Sequence, residues 1–183
     1  MKPWKLLALL AGLYLVMSPA EAADPENTLY LDLEDGRVTI ELRPDLAPNH
    51  VARIKALVRE GFYDGLVFHR VIEGFMAQTG DPRGDGTGGS GQNLAAEFSD
   101  EPHVKGTLSM ARARDPHSAD SQFFIMFEPA PHLDGQYTVW GKVVSGMEYV
   151  DQIKRGDLRA NGKVADPDKI VRMQVAADVK SGN

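Results

Sequence analysis

Two runs of alternating apolar residues flank an Asp-Gly pair near the start of this chain, and they constrain its fold more than any other stretch. Leu29, Leu31 and Leu33 precede Asp35-Gly36, and Val38, Ile40 and Leu42 follow it. Alternation of period two sets one face of an extended segment against a core, and Asp-Gly accepts the turn that joins antiparallel strands. The spacing predicts a β-hairpin. Two more strands are expected within Val67–Asp81 (VFHRVIEGFMAQTGD), joined at Glu73-Gly74. Shorter apolar segments follow at 106–111, 121–127 and 137–144, and an alternating run covers 171–177.

Only two helices are expected. Pro48 suits a first helical position, with Val51, Ile54, Leu57 and Val58 at helical spacing and Gly61 as the stop. Ser145 and Glu148 fit a capping box ahead of Met147, Val150 and Ile153, with Gly156 ending that helix. A doubly wound sheet needs a helix at nearly every crossover, so two distant helices argue against it. A closed or nearly closed antiparallel barrel with helices over its ends fits better. No repeat or linker interrupts residues 24–179, and 183 residues suffice for one domain.

The first 22 residues stand apart. Lys2 and Lys5 precede the apolar run Leu6–Met17, and Pro19, Ala20 and Ala22 supply a helix breaker and small residues. This is the pattern of an export signal cleaved after Ala22; an uncleaved membrane anchor is the alternative, less favoured because twelve apolar residues are short for a membrane span. The expected mature domain is 23–183, in a bacterial periplasm. Cleavage would remove Lys2, Lys5 and Glu21, leaving 18 basic against 25 acidic residues and a net charge of −7. An acidic chain without a basic block is a poor match for nucleic acid. The chain has no cysteine, hence no disulfide or thiol chemistry.

Conventional chemistry does not declare itself. The five histidines show no metal-ligand spacing, so no metal is expected. Gly86, Gly88 and Gly91 match G-x-G-x-x-G, but no helical pattern opens there, and a glycine-rich surface loop is the simpler reading. Ser109 and Ser121 lack a nucleophile turn. Arg70 is the anomaly: it sits in a strand whose Val67, Phe68, Val71 and Ile72 are apolar on both faces, and arginine cannot shed its charge. Rotation of an X–Pro bond would use such a residue. It breaks no covalent bond, and the twisting nitrogen becomes an acceptor for a donor held beside an apolar slot.

The segments FHRVIEGFMAQTGD, GTGGSG, LSMARARDPHSADSQFFI and HLDGQYTVWGKVVSGMEYVDQI occur in that order. With them the chain resembles the cyclophilin-type peptidyl-prolyl isomerases, in particular the bacterial periplasmic group, from Thr28 to about Ala177. The resemblance implies a mainly β fold, a closed eight-stranded antiparallel barrel capped by two α-helices, with the active site on its outer face. Arg70 matches the family's catalytic arginine, Phe75 a wall of the proline pocket, and Gln78 a glutamine that hydrogen-bonds the substrate backbone and orients the arginine. Met76, Phe124 and Leu133 match the proline pocket, and Ala111, Arg112 and Ala113 the edge along which a peptide lies. Gln122 matches a polar support, and His132 and Tyr137 the rim.

His132, Tyr137 and Arg112 depart from the tryptophan, histidine and asparagine usual in the better-known eukaryotic members, which implies weak cyclosporin binding. The expected partners are proline-containing segments of unfolded or folding secreted proteins, met by a monomer without cofactor, nucleic acid or stable membrane association. A proline-binding module without catalysis and a barrel carrying a small apolar ligand remain alternatives at this point.

Overall fold

The computed structural model describes residues 24–179. The export signal expected over 1–22 lies outside them, and no helix among the described residues is long and apolar enough to cross a membrane. Eight strands, β1 (Thr28–Asp32), β2 (Arg37–Leu42), β3 (Arg70–Ile72), β4 (Met76–Thr79), β5 (Thr107–Met110), β6 (Phe123–Met126), β7 (Val139–Ser145) and β8 (Arg172–Val175), form one antiparallel sheet. Its order is β3-β4-β6-β5-β7-β2-β1-β8. The first hairpin is the expected one, in register from Thr28 opposite Glu41 to Asp32 opposite Arg37.

The strand ladder does not close on itself, unlike the barrel expected from the sequence. β3 and β8 are its two edges, and loop backbone joins them. Gly65 N–H donates to the Ile170 carbonyl and Ile170 N–H to that of Leu66, each at 2.8 Å. Val71 N–H donates to the Gly162 carbonyl at 2.8 Å, and Val164 N–H to that of His69 at 3.1 Å. The segment 157–171 thus covers the exposed edge of β3. It also brings a distant turn against Arg70.

Strand parity divides the apolar residues between two clusters. Val71, Ala77, Leu108, Phe123 and Ile125 face the main core with the hairpin leucines and Trp140. Met76, Phe124 and Met126 take the opposite face and join Ala130 and Leu133 in a second cluster, flanked by Ile72, Phe75, Ala111 and Tyr137. Both faces of β4 and β6 are therefore apolar, which explains the absence of clean alternation there.

The first helix, α1 (Pro48–Arg59), begins with Pro48 as expected and buries Val51, Ile54, Leu57 and Val58. Glu97 caps it from a distance, accepting from the Asn49 and His50 N–H groups at 3.1 and 3.0 Å. Burial raises the Glu97 carboxyl, but bonds from His50 and Asn49 outweigh this and leave it below its ordinary range.

The second helix corrects the sequence reading twice. α2 spans only Met147–Val150, and its N-cap is Gly146, at φ 82°, rather than Ser145. Ser145 still belongs to β7, opposite Thr39, so the chain must turn from strand to helix within one residue. A Cβ at Gly146 would lie 2.3 Å from the Arg37 carbonyl oxygen, so the turn admits only glycine. The helix also stops before Gly156, whose N–H donates to the Val71 carbonyl at 2.9 Å. Substituting Gly146→Ala should cost about 1–3 kcal/mol, read as a lower denaturant midpoint, and an unchanged midpoint would refute this account of the turn.

Two further histidines, His69 and His103, are buried. Neither ring nitrogen of His69 has a partner, and burial lowers its pKa. His103 has Nδ1 2.9 Å from Asp134 Oδ1 and Nε2 3.1 Å from Ser109 Oγ, and burial lowers it too, against the opposing pull of Asp134. A histidine with a depressed folded-state pKa is protonated first in the unfolded chain. Its stabilising effect is complete above the ordinary value of about 6.5 and fades as pH falls below that. Tm should therefore drop between about pH 7 and pH 5, before the carboxylates titrate; a flat Tm over that range would contradict it.

Candidate active site

Arg70 leaves the core because of its position in β3. Val71 points into the main cluster, so Arg70 and Ile72 point to the other side. There the guanidinium is half-buried and held by three neutral acceptors. Nε donates to the Asn161 carbonyl at 3.1 Å, Nη2 to Asn161 Oδ1 at 3.0 Å, and Nη1 to Gln78 Oε1 at 3.1 Å. Burial lowers its pKa, yet an arginine remains cationic. Three of the five N–H groups are engaged, which leaves one on each terminal nitrogen.

No carboxylate among the described residues lies within ion-pair distance of Arg70. The two obvious sequence neighbours are occupied elsewhere. Glu73 pairs with Arg155, and Asp81 accepts the N–H groups of Arg83, Asp85 and Gly86 at 2.8, 3.1 and 2.6 Å. A structural ion pair, the ordinary role for such a residue, is not what the geometry holds.

The cation also sets the direction of a chain of amides. Because Arg70 can only donate, Gln78 must present its oxygen, and its Nε2 donates to Gln122 Oε1 at 2.9 Å. Gln122 Nε2 then donates to the carbonyls of Gly86 and Gly88, at 3.1 and 2.8 Å. The register makes this possible, with Arg70 opposite Gln78 and Gln78 opposite Phe124. The glycine-rich loop thus supports the site and opens no nucleotide-binding helix. Gly88 is needed there, since a Cβ would lie 2.1 Å from Asp81 Oδ1.

A cavity of about 310 Å³ opens beside the guanidinium. Phe75, Met76, Phe124, Leu133 and Tyr137 supply its apolar lining, Ala111 and Arg112 one edge, and His132 and Gln78 the remainder. Phe124 and Tyr137 meet edge to face at 5.9 Å, and Phe75 lies 5.8 Å from His132. A second cavity of the same size adjoins it along Ala111–Ala113. Gln122 and Ala113 line only this second space, so the twelve expected residues divide between two connected cavities. The Ala111 carbonyl and the Arg112 N–H between them are engaged by no described residue, as an edge awaiting an extended peptide requires.

Asn161 was missed from the sequence. It sits at φ 55° in the turn before Gly162 and clasps Arg70 with both its carbonyl and its side chain. The Asn-Gly pair signals a left-handed turn, but nothing local signals contact with a residue 91 positions away. His103, Asp134 and Ser109 were missed for the same reason. His103 stacks 6.3 Å beneath Phe124 and so supports one wall. No group of three or more His, Cys, Asp or Glu side chains able to hold a metal occurs among the described residues.

Comparison with known proteins shows the family. Residues 28–175 match the family model described as cyclophilin type peptidyl-prolyl cis-trans isomerase/CLD. A probable peptidyl-prolyl cis-trans isomerase of Brucella suis is 57% identical, over 94% of this chain and 97% of its own length. Peptidyl-prolyl cis-trans isomerase B of Bacillus subtilis is 49% identical, over 75% of this chain and 98% of its own. Among solved structures, a cyclophilin from Hirschia baltica superposes with a TM-score of 0.77 at 29% identity, covering 86% of this chain and 77% of that one. A cyclophilin-type isomerase of Cryptosporidium parvum, crystallised in the presence of the dipeptide Ala-Pro, gives 0.74 at 30% identity, with 81% and 98% covered. By sequence and by fold, this chain belongs to the cyclophilin-type peptidyl-prolyl cis-trans isomerases.

Proposed function

We propose that the chain accelerates X–Pro rotation in the cavity beside Arg70, by hydrogen bonding from that guanidinium to the prolyl nitrogen of the twisted amide. One observation carries the reading: a half-buried cation with unused N–H groups and no carboxylate partner borders an apolar slot.

The planar amide nitrogen shares its lone pair with the carbonyl and is a poor acceptor. Rotation withdraws that sharing, against a barrier of about 18–20 kcal/mol, and the nitrogen becomes basic as the bond twists. A fixed donor therefore binds the transition state better than either planar isomer. One charge-assisted hydrogen bond contributes about 1.5–3 kcal/mol, so it cannot act alone. Phe75, Met76, Phe124 and Leu133 hold the ring in a dry slot that disfavours the polar planar amide relative to the twisted one. Gln78, with Gln122 behind it, holds the peptide backbone on one side, and the free main-chain groups at Ala111 and Arg112 pair with it as a strand would. His132 and Tyr137 close the rim, and Ala113 extends the edge. No bond is made or broken, so the reaction needs neither metal nor organic cofactor.

The substrate class is proline-containing polypeptide, a reading supported by the Cryptosporidium parvum relative crystallised with Ala-Pro. The basic, apolar and small-residue sequence of residues 1–22 supports export to a bacterial periplasm, where a monomeric domain 23–183 would act on folding secreted proteins. Histidine and tyrosine at positions 132 and 137 support weak binding of cyclosporin.

A coupled isomerisation assay on a proline tetrapeptide tests the mechanism. Arg70→Ala should lower kcat/KM by roughly a hundredfold, the value of one lost charge-assisted bond, while peptide affinity changes only a few-fold. Equal losses in both would refute the assigned role. Asn161→Ala should lower kcat by up to roughly tenfold with peptide affinity again nearly constant, because it removes the Oδ1 acceptor that fixes Nη2 while the main-chain carbonyl and Gln78 still hold the other two nitrogens. Unchanged kcat would show that the Asn161 side chain does not position the guanidinium.

A further inference from the structure

The expected mature chain carries a net charge of −7, yet the cavity beside Arg70 is lined by two guanidiniums and no carboxylate. Arg112 is the second. Its Nε and Nη2 donate to the Gln136 carbonyl at 3.2 and 3.0 Å, and its Nη1 to the carbonyls of Ala113 and Arg114 at 3.0 and 3.4 Å. Its Cζ lies 4.5 Å from the centre of the Tyr137 ring. Like Arg70, it is fixed by neutral groups alone and stands in no ion pair among the described residues.

Such a cation is unusual on an acidic surface. A long, mobile arginine would ordinarily find a carboxylate, and the acidic residues at 115, 120 and 134 instead hold main-chain N–H groups. Asp120 accepts from the Ser90 and Gly91 N–H groups, Asp134 from His103, and Asp115 from the His117 N–H. Arg112 is instead pinned across the Tyr137 ring at the boundary of the two cavities. An incoming carboxylate would meet a charge already in position, with no side-chain ordering left to oppose the contact. Asp120 lines the second cavity, not the one beside Arg70, and makes the second cavity less favourable for an anion.

We infer that the enzyme selects X–Pro segments bearing an aspartate or glutamate on a residue adjoining the proline, and that Arg112 is the specificity-determining residue. The inference rests on the cavity beside Arg70 being the isomerase site. The selectivity is local. At longer range the acidic chain repels an anionic peptide, so distance from proline matters more than peptide charge.

The test compares peptides of equal net charge, with glutamate either next to the proline or several residues away, in the isomerisation assay at low and high salt. The nearby glutamate should raise kcat/KM by roughly three- to tenfold relative to the distant one, and high salt should shrink the ratio. Arg112→Gln should bring the ratio to about one whatever happens to overall rate, and Arg112→Lys should retain part of it. A wild-type ratio of one with all peptides accelerated would overturn the inference and leave the isomerase reading intact. So would a ratio that survives in Arg112→Gln. Should a variant fail to fold, a wild-type ratio indifferent to salt overturns it as well. Failure to accelerate any peptide would overturn both readings.

Discussion

The site depends on keeping one positive charge half-buried without giving it a negative partner. Arg70 is held by the Asn161 carbonyl, the Asn161 side chain and Gln78, all of them neutral. A carboxylate in any of these places would satisfy the guanidinium more strongly and would leave less of its field for a substrate atom. Neutral acceptors fix its orientation while leaving the charge uncompensated. The same cation orders Gln78 and Gln122 by direction of donation, so the glycine-rich loop at the far end is set by a residue it never touches.

That arrangement needs a sheet with two dry faces. β4 and β6 place Ala77, Phe123 and Ile125 in the main core, and Met76, Phe124 and Met126 in the outer cluster. The outer cluster is too small to be a second core, and it stays open at the cavity. A floor so built is stiff, because each residue that lines it lies next to one locked in the interior. Below Phe124, buried His103 bridges Asp134 and Ser109 and adds a polar support to an otherwise apolar wall.

Local interactions were legible in the sequence and distant ones were not. The hairpin around Asp35-Gly36 and helix α1 depend on neighbours in the chain, and both appear where the pattern places them. The capping box at Ser145 failed because β7 claims that residue for pairing, and tertiary pairing outweighs a cap. The closed barrel became a ladder with loop-joined edges, since the backbone bonds of 157–171 follow no period. In the site, the pocket residues came from ordered motifs. Asn161 could not, because only the stitching of that loop to β3 brings it to Arg70.

The central claim is that the enzyme recognises basicity gained by the prolyl nitrogen during rotation. Substrates with ring-fluorinated proline test this most directly, because fluorine withdraws electron density from that nitrogen. The quantity to measure is the ratio of catalysed to uncatalysed isomerisation rate, for matched peptides with and without the fluorine, in wild type and in Arg70→Ala. The account predicts that fluorination lowers the ratio in wild type and has little effect on it in the variant. An equal ratio for both peptides in wild type would contradict it.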